Sequence, residues 1–202
     1  MIATLVPPAL TPQSGGKPIE FRQLWSANRT CRACKRRDEC EGPVPANGDW
    51  EATVMFVGEA PGLKEDKTAK PFTGPAGREL DRFLGVAGLK RADVWVSNIV
   101  HCRPRGNGKP NAADIAVCAP LWLEREIALL KPQVVVPLGG VAASYFLADS
   151  LGKVRVEEVS GVPYEPEETG LNYAGLPIMH PAAGLHKPEN LTLIAEGFRN
   201  LG

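Results

Sequence analysis

The chain carries no net charge, because 23 Lys and Arg balance 23 Asp and Glu. That balance excludes a global electrostatic pull toward nucleic acid or an anionic surface. Any polyanion must be met by a local patch, such as Arg29, Arg32, Lys35, Arg36 and Arg37, or Arg103, Arg105 and Lys109. No apolar run is long enough to span a bilayer, and the N-terminus lacks a charged start followed by an apolar stretch. We therefore expect no membrane partner and a cytoplasmic, intracellular setting. Cysteine is scarce and odd in number, five in 202 residues. In a reducing compartment that argues against a disulfide framework. No internal repeat and no second domain boundary is evident.

What the chain has in quantity is turn-forming residues, 21 Gly and 19 Pro. Its length suits one compact domain with a full core. Residues 1–18, rich in Pro, Gly, Ser and Thr, read as a disordered tail, and residues 19–202 as the domain. Thr53–Val57, Val94–Val100 and Gln133–Leu138 are apolar, β-rich runs and read as buried strands. Shorter strand segments are expected around Val154–Val159 and Pro177–Met179. Helices are expected over Phe21–Thr30, Gly77–Ala87, Asn111–Leu130 and Glu189–Leu201, with one more after Gly139-Gly140. Strands alternating with helices predict an α/β chain, a single-domain α/β/α sandwich around a mostly parallel, four-stranded sheet.

One block stands out. The run ending at Val57 passes into Gly58-Glu59-Ala60-Pro61-Gly62, then Glu65-Asp66, then Lys70-Pro71-Phe72-Thr73-Gly74-Pro75-Ala76-Gly77. Gly and Pro punctuate each change of direction, so the backbone is held in a particular shape. A carboxylate at a strand's carboxyl end with an exposed aromatic, Phe72, suits a pocket for a flat polar ring. Further on, Asn98 ends the second strand, and an Asn amide offers both a donor and an acceptor. His180-Pro181-Ala182-Ala183 follows the last strand segment.

The cysteines leave alternatives open. Cys31-x-x-Cys34 precedes the first strand, Cys102 follows the second, and Cys118 lies in the next helix. Structural zinc prefers two close pairs, and the second pair here is widely split. A local set of Cys31, Cys34 and Cys40 lacks a fourth ligand. Iron–sulfur clusters tolerate a wide spread of four thiolates. By spacing alone, a metal and buried free thiols stand about level.

Gly-Glu-Ala-Pro-Gly, Glu-Asp, and the Pro-Phe-x-Gly-x-Ala-Gly segment together resemble the first motif of the family four uracil-DNA glycosylases. Asn98-Ile99-Val100-His101-Cys102-Arg103-Pro104 resembles that family's Asn-to-Cys-Arg-Pro segment, and His180-Pro181 its second motif. The resemblance covers about residues 21–201. It implies a monofunctional enzyme that flips uracil out of DNA and hydrolyses its N-glycosidic bond, starting base excision repair. It implies one [4Fe-4S] cluster on Cys31, Cys34, Cys102 and Cys118, with Cys40 spare. Glu59 is then expected to position water and His180 to stabilise the departing base. Gly58, Ala60, Phe72 and Asn98 would bind the base, and Leu185, His186 and Lys187 would wedge the duplex and contact phosphate. The expected partner is uracil-containing DNA, bound by a monomer that associates with the nucleoid when on DNA.

Two departures stand in the sequence. The family's Leu-Leu-Arg after its second motif becomes Gly184-Leu185-His186, followed by Lys187, and Ala69 replaces a common Gly. Both bear on strand preference and affinity more than on bond cleavage. Two rival readings follow. One is a catalytically silent uracil- or DNA-binding module of the same fold. The other is an iron–sulfur nuclease or polymerase accessory domain using the dense carboxylates Glu59, Glu65 and Asp66, since such chemistry needs clustered ligands for metal ions.

Overall fold

The structure, a computed structural model, describes residues 17–152 and 154–201. Residues 1–16, most of the expected tail, lie outside the described residues. In order come α1 (Lys17–Arg29), β1 (Asn47–Gly48), β2 (Val54–Gly58), α2 (Leu63–Thr68), α3 (Pro75–Val86), β3 (Trp95–Asn98), α4 (Ala112–Leu121), α5 (Leu123–Leu130), β4 (Val134–Pro137), α6 (Gly140–Leu151), α7 (Val156–Val159), α8 (Pro166–Thr169), β5 (Ala174–Gly175), α9 (Ala183–His186) and α10 (Asn190–Arg199).

The sheet has five strands in the order β1-β3-β2-β4-β5. Strands β3, β2, β4 and β5 run parallel. The first three fall on expected runs, whereas β5 lies just before the expected Pro177–Met179 segment, of which Ile178 makes an isolated parallel bridge to Leu138. The fifth strand was not expected. It is the two-residue β1, antiparallel to β3 at the edge, and its Asn-Gly sequence carries no strand signal. Gly48 is required there, because a Cβ would collide with the Val94 carbonyl.

Successive side chains of a strand face opposite ways, and β2 shows both faces filled. Val54 and Phe56 enter one core with Leu80, Phe83 and Leu84 of α3 and Ile194 and Phe198 of α10. Met55 and Val57 enter the other with Phe21 and Leu24 of α1, Leu123 of α5, and Phe146 and Leu147 of α6. Helices therefore cover both faces of the sheet. Phe198 stacks at 5.7 Å on Phe56 and 5.4 Å on Phe83, and truncating so buried a Phe to Ala costs about 3–5 kcal/mol.

Three expectations about elements are corrected. The single helix over residues 111–130 is two helices that meet at Trp122 (φ −128°, ψ −64°). Pro120 supplies the cause, since its ring displaces a helical hydrogen bond. Asn111 does cap α4, accepting from the Asp114 N–H at 2.8 Å. The segment around Val156–Val159 is a helical turn, not a strand, and an Arg155–Glu158 ion pair at 3.1 Å spans it. The sheet position beside β4 is filled instead by β5, which continues to a parallel bridge between Leu138 and Ile178. Finally, α1 begins at Lys17, so residues 17 and 18 belong to a helix rather than the tail.

Candidate active site

Strands β2 and β3 end side by side, with Gly58 in register with Asn98. The Glu59 turn follows directly, its carbonyl accepting the Val100 N–H at 3.2 Å. Beyond β4, Gly139 takes φ 89°, and its N–H donates to Ile178 at 2.9 Å, so the loop carrying His180 is tied to the same end of the sheet. A Cβ on Gly139 would sit 3.0 Å from the His180 Cβ. The carboxyl ends of parallel strands thus bring distant residues to one cleft. Glu59, Ala60, Phe72, Asn98, His180 and Leu185 all line it.

Asn98 is buried and its amide has no hydrogen bond to any of the described residues. The amide lines the cleft, so its donor and acceptor are free for a ligand that enters there. Gly58 makes the approach possible: a Cβ there would fall 2.6 Å from Asn98 Oδ1 and 2.7 Å from the Phe72 ring. Phe72 was expected to be exposed, and it is buried at 7 % exposure. Its flat face is still directed within the site, with the His180 ring 6.0 Å away at 25°.

His180 Nδ1 accepts the Ala182 N–H at 3.2 Å. The ring proton therefore sits on Nε2, which is left as a neutral donor. Enclosure pushes the imidazole down to about 4, so it stays uncharged at neutral pH. Burial pushes Glu59 above the usual carboxylate range, while the charge of Lys109 opposes the rise. Lys109 and Glu59 share a second groove, with Tyr145 and Ser144, that adjoins the first.

The carboxylates Glu65 and Asp66 are not part of a metal-binding cluster. Glu65 accepts the Gly74 N–H at 2.7 Å, and Asp66 accepts the Glu41 N–H at 3.0 Å and faces Arg103 at 3.8 Å. Both are buried and committed to backbone, so the carboxylate constellation that a nuclease would need does not form.

Of the expected duplex contacts, Leu185 is 48 % exposed on the cleft. Lys187 is exposed on a neighbouring groove that also touches His180, and the His186 side chain lies outside the described residues. The first basic patch is partly neutralised, with Arg36 on Asp114 at 2.6 Å and Arg32 near Asp38 at 3.9 Å. Sequence reading missed Leu63, Lys64 and Lys67 of α2, which line the cleft together with Leu185. Leu63 is 47 % exposed. Its position directly after the Gly62 turn was the available signal.

A second cavity gathers Cys31, Cys34, Cys102 and Cys118, with Asn28 and His101. Cys40 does not line it but packs near Cys102. All five are free thiols. Burial is the largest cause that pushes the Cys118 thiol up to about 12, with Cys34 and Cys31 adding to it. Burial raises Cys102 as well, helped by Cys40, Cys118 and Cys34. The His101 N–H donates to Cys118 Sγ at 3.3 Å. Both polar atoms of the Asn28 amide and Nδ1 of His101 are buried there without a partner. Orphaned polar groups facing four soft ligands fit a sulfur-rich inorganic group, whose thiolates and sulfides accept hydrogen bonds. Among the described residues, no three His, Cys, Asp or Glu converge as ligands of a single ion would.

Comparison with known proteins agrees with this geometry. Residues 45–201 match the uracil DNA glycosylase superfamily. The chain is 37 % identical to the type-4 uracil-DNA glycosylase of Saccharolobus solfataricus, over 86 % of this chain and 81 % of that one. It is 35 % identical to the type-4 enzyme of Archaeoglobus fulgidus, over 86 % and 87 %. It is 34 % identical to that of Pyrobaculum aerophilum, over 84 % and 87 %. Among the described residues no helix is long and apolar enough to cross a membrane. With its parallel sheet, its cleft at the strand ends and relatives matched over most of their length, the chain belongs to the uracil DNA glycosylase superfamily, among the type-4 enzymes.

Proposed function

We propose that the protein excises uracil from DNA by hydrolysing the N-glycosidic bond, without cutting the strand. The observation that carries the reading is one cleft lined by an unpaired Asn amide, an aromatic ring, a neutral His donor and a half-buried carboxylate.

The substrate's uracil is extruded from the helix and enters the cleft, where Phe72 stacks on its face. Asn98 pairs with the O4 and N3–H of its edge. Cytosine presents an amino donor and a bare N3 in those places, so it leaves buried groups mismatched, at about 1–3 kcal/mol each. Gly58 and Ala60 form the backbone wall. As the bond from C1′ to N1 breaks, its electron pair passes to the base and charge builds on O2. Nε2–H of His180 donates to that oxygen. Glu59 orients water onto C1′ of the oxocarbenium-like sugar and accepts its proton, leaving an abasic site and the uracil anion, which takes up a proton from solvent as it departs. Leu185 fills the space the base vacates. Exposed Lys64, Lys67 and Lys187 contact phosphates, and His186 is proposed for the same task.

Cys31, Cys34, Cys102 and Cys118 would hold a [4Fe-4S] cluster, and Asn28 and His101 would donate to its sulfurs. Bound there, the cluster supplies a cross-link between the N-terminal segment and the core rather than an electron for the reaction. The protein acts as a monomer in the cytoplasm, since extruding one base requires no symmetry.

An end-labelled oligonucleotide with one uracil, incubated with the protein in chelator, tests the activity. Breaks at uracil that appear only after hot alkali are expected. Breaks without alkali would indicate strand cleavage, and no breaks on single or double strands would favour the silent binding module.

A further inference from the structure

Phe72 has φ 52°, in the left-handed region, and so does Ala69 three residues before it (φ 52°). A residue with a Cβ adopts this conformation only where its surroundings impose it. The surroundings do so from two sides. On the cleft side, Glu65 accepts the Gly74 N–H at 2.7 Å, fixing the end of the loop. On the far side stands Arg91, in the turn before β3 and away from the cleft.

One guanidinium there holds three elements together. Nη1 of Arg91 donates to the Phe72 carbonyl at 3.3 Å, and Nη2 donates to the Gly77 carbonyl at 3.1 Å. Nη2 also meets Asp81 at 2.8 Å. A Cβ on Gly77 would collide with the Phe72 carbonyl, so the first turn of α3 backs directly onto this residue. The planar fork of an arginine suits two carbonyls better than a point charge does. Partial burial adds to its grip, since competing water is reduced.

We propose that Arg91 is a positioning residue for base recognition: it fixes the backbone of Phe72 so that the ring lies against Gly58 and within 25° of the His180 plane, where a uracil ring can stack on it. It touches neither substrate nor cluster ligands. The inference rests on reading Phe72 as the stacking platform.

A double-mutant cycle tests it, with single-turnover excision as the readout and thermal melting beside it. Arg91→Met is expected to slow excision about 10–100-fold, the scale of a small misplacement of a reacting group. Binding to a duplex carrying a stable abasic analogue should stay within about twofold, since neither Phe72 nor Arg91 acts without a base. In a Phe72→Leu background, which keeps the core filled but removes the aromatic face, Arg91→Met should add no further loss of rate. Melting should still fall further in the double variant than in either single one, which separates the rate effect from a general loss of stability. Asp81→Asn, at an exposed site, is a gentler second probe. It should produce a smaller loss that likewise vanishes beside Phe72→Leu. An equal factor from Arg91→Met in both backgrounds would overturn the inference while leaving the platform reading intact. Full excision by Phe72→Leu alone would instead overturn the platform reading.

Discussion

The cleft and the cysteine cavity are built in opposite ways. The cleft is assembled by the sheet. Gly58 and Asn98 are register partners on adjacent strands, and the His180 loop is tied through Gly139 to the next strand. Any chain that closes this sheet brings those groups together. The cavity draws on Cys31 and Cys34 in a loop, Cys102 after β3 and Cys118 inside α4, and no strand ladder joins them. Both polar atoms of the Asn28 amide and Nδ1 of His101 are also buried there without a partner. The fold therefore makes the cleft, whereas the proposed cluster completes the cavity. Chemistry and holding are assigned to different regions for that reason.

Breaking the cavity should have the largest effect. Cys118→Ser is expected to remove most of the iron from purified protein and to lower the melting temperature by tens of degrees, on the scale of losing a structural metal. Cys40→Ser should keep its iron and visible absorbance. Equal iron loss from both variants would erase the distinction between the four ligands and the spare thiol.

Within the cleft, Glu59→Gln should lower kcat about 10²–10⁴-fold while leaving iron content unchanged. The same group sets the pH dependence. Its raised pKa means that the carboxylate form is lost at a higher pH than an ordinary Glu would show. Excision should fall on the acid side, and Lys109→Met should move that limb to still higher pH. His180, already neutral with a value near 4, adds no limb at neutral pH. A profile flat down to pH 4 would exclude Glu59 as the base.

Gly58→Ala sharpens the contrast at smaller scale. Its Cβ would press on Asn98 and Phe72 at 2.6 and 2.7 Å, and relieving such overpacking costs about 1–3 kcal/mol. Excision should fall, together with a loss of a few degrees in melting temperature. The smallest effect is expected from Leu185→Ala, a few-fold loss on duplex DNA and less on single strands, measured as kcat/KM on both. Equal losses on the two would remove the wedge.

Much of this was legible before the structure, and unevenly. Thr53–Val57 and Gln133–Leu138 read as buried strands because both sheet faces are covered, which leaves continuous apolar runs. The turn chemistry of residues 58–77 pointed to the candidate cleft that Glu59, Ala60 and Phe72 line. What stayed hidden depends on tertiary packing. Phe72 was expected to be exposed, because nothing local says that α3 and Arg91 enclose its backbone. Glu65 and Asp66 looked like available carboxylates, and only the fold shows them bonded to Gly74 and Glu41. Val154–Val159 is rich in β-branched Val, yet Glu157 and Glu158 break any alternation, and β5 fills the place beside β4. Pro120 was visible, and its break in the helix could have been foreseen.

If the cleft performs the chemistry independently of the cavity that holds the chain together, one substitution can stop the first and spare the second. The most direct test is the single-turnover rate of uracil excision by Asn98→Ala, with iron content and melting temperature measured on the same sample. Wild-type iron and melting are expected, with excision slowed by about 10²-fold or more through loss of both edge contacts. Full, uracil-selective excision by Asn98→Ala would contradict that expectation.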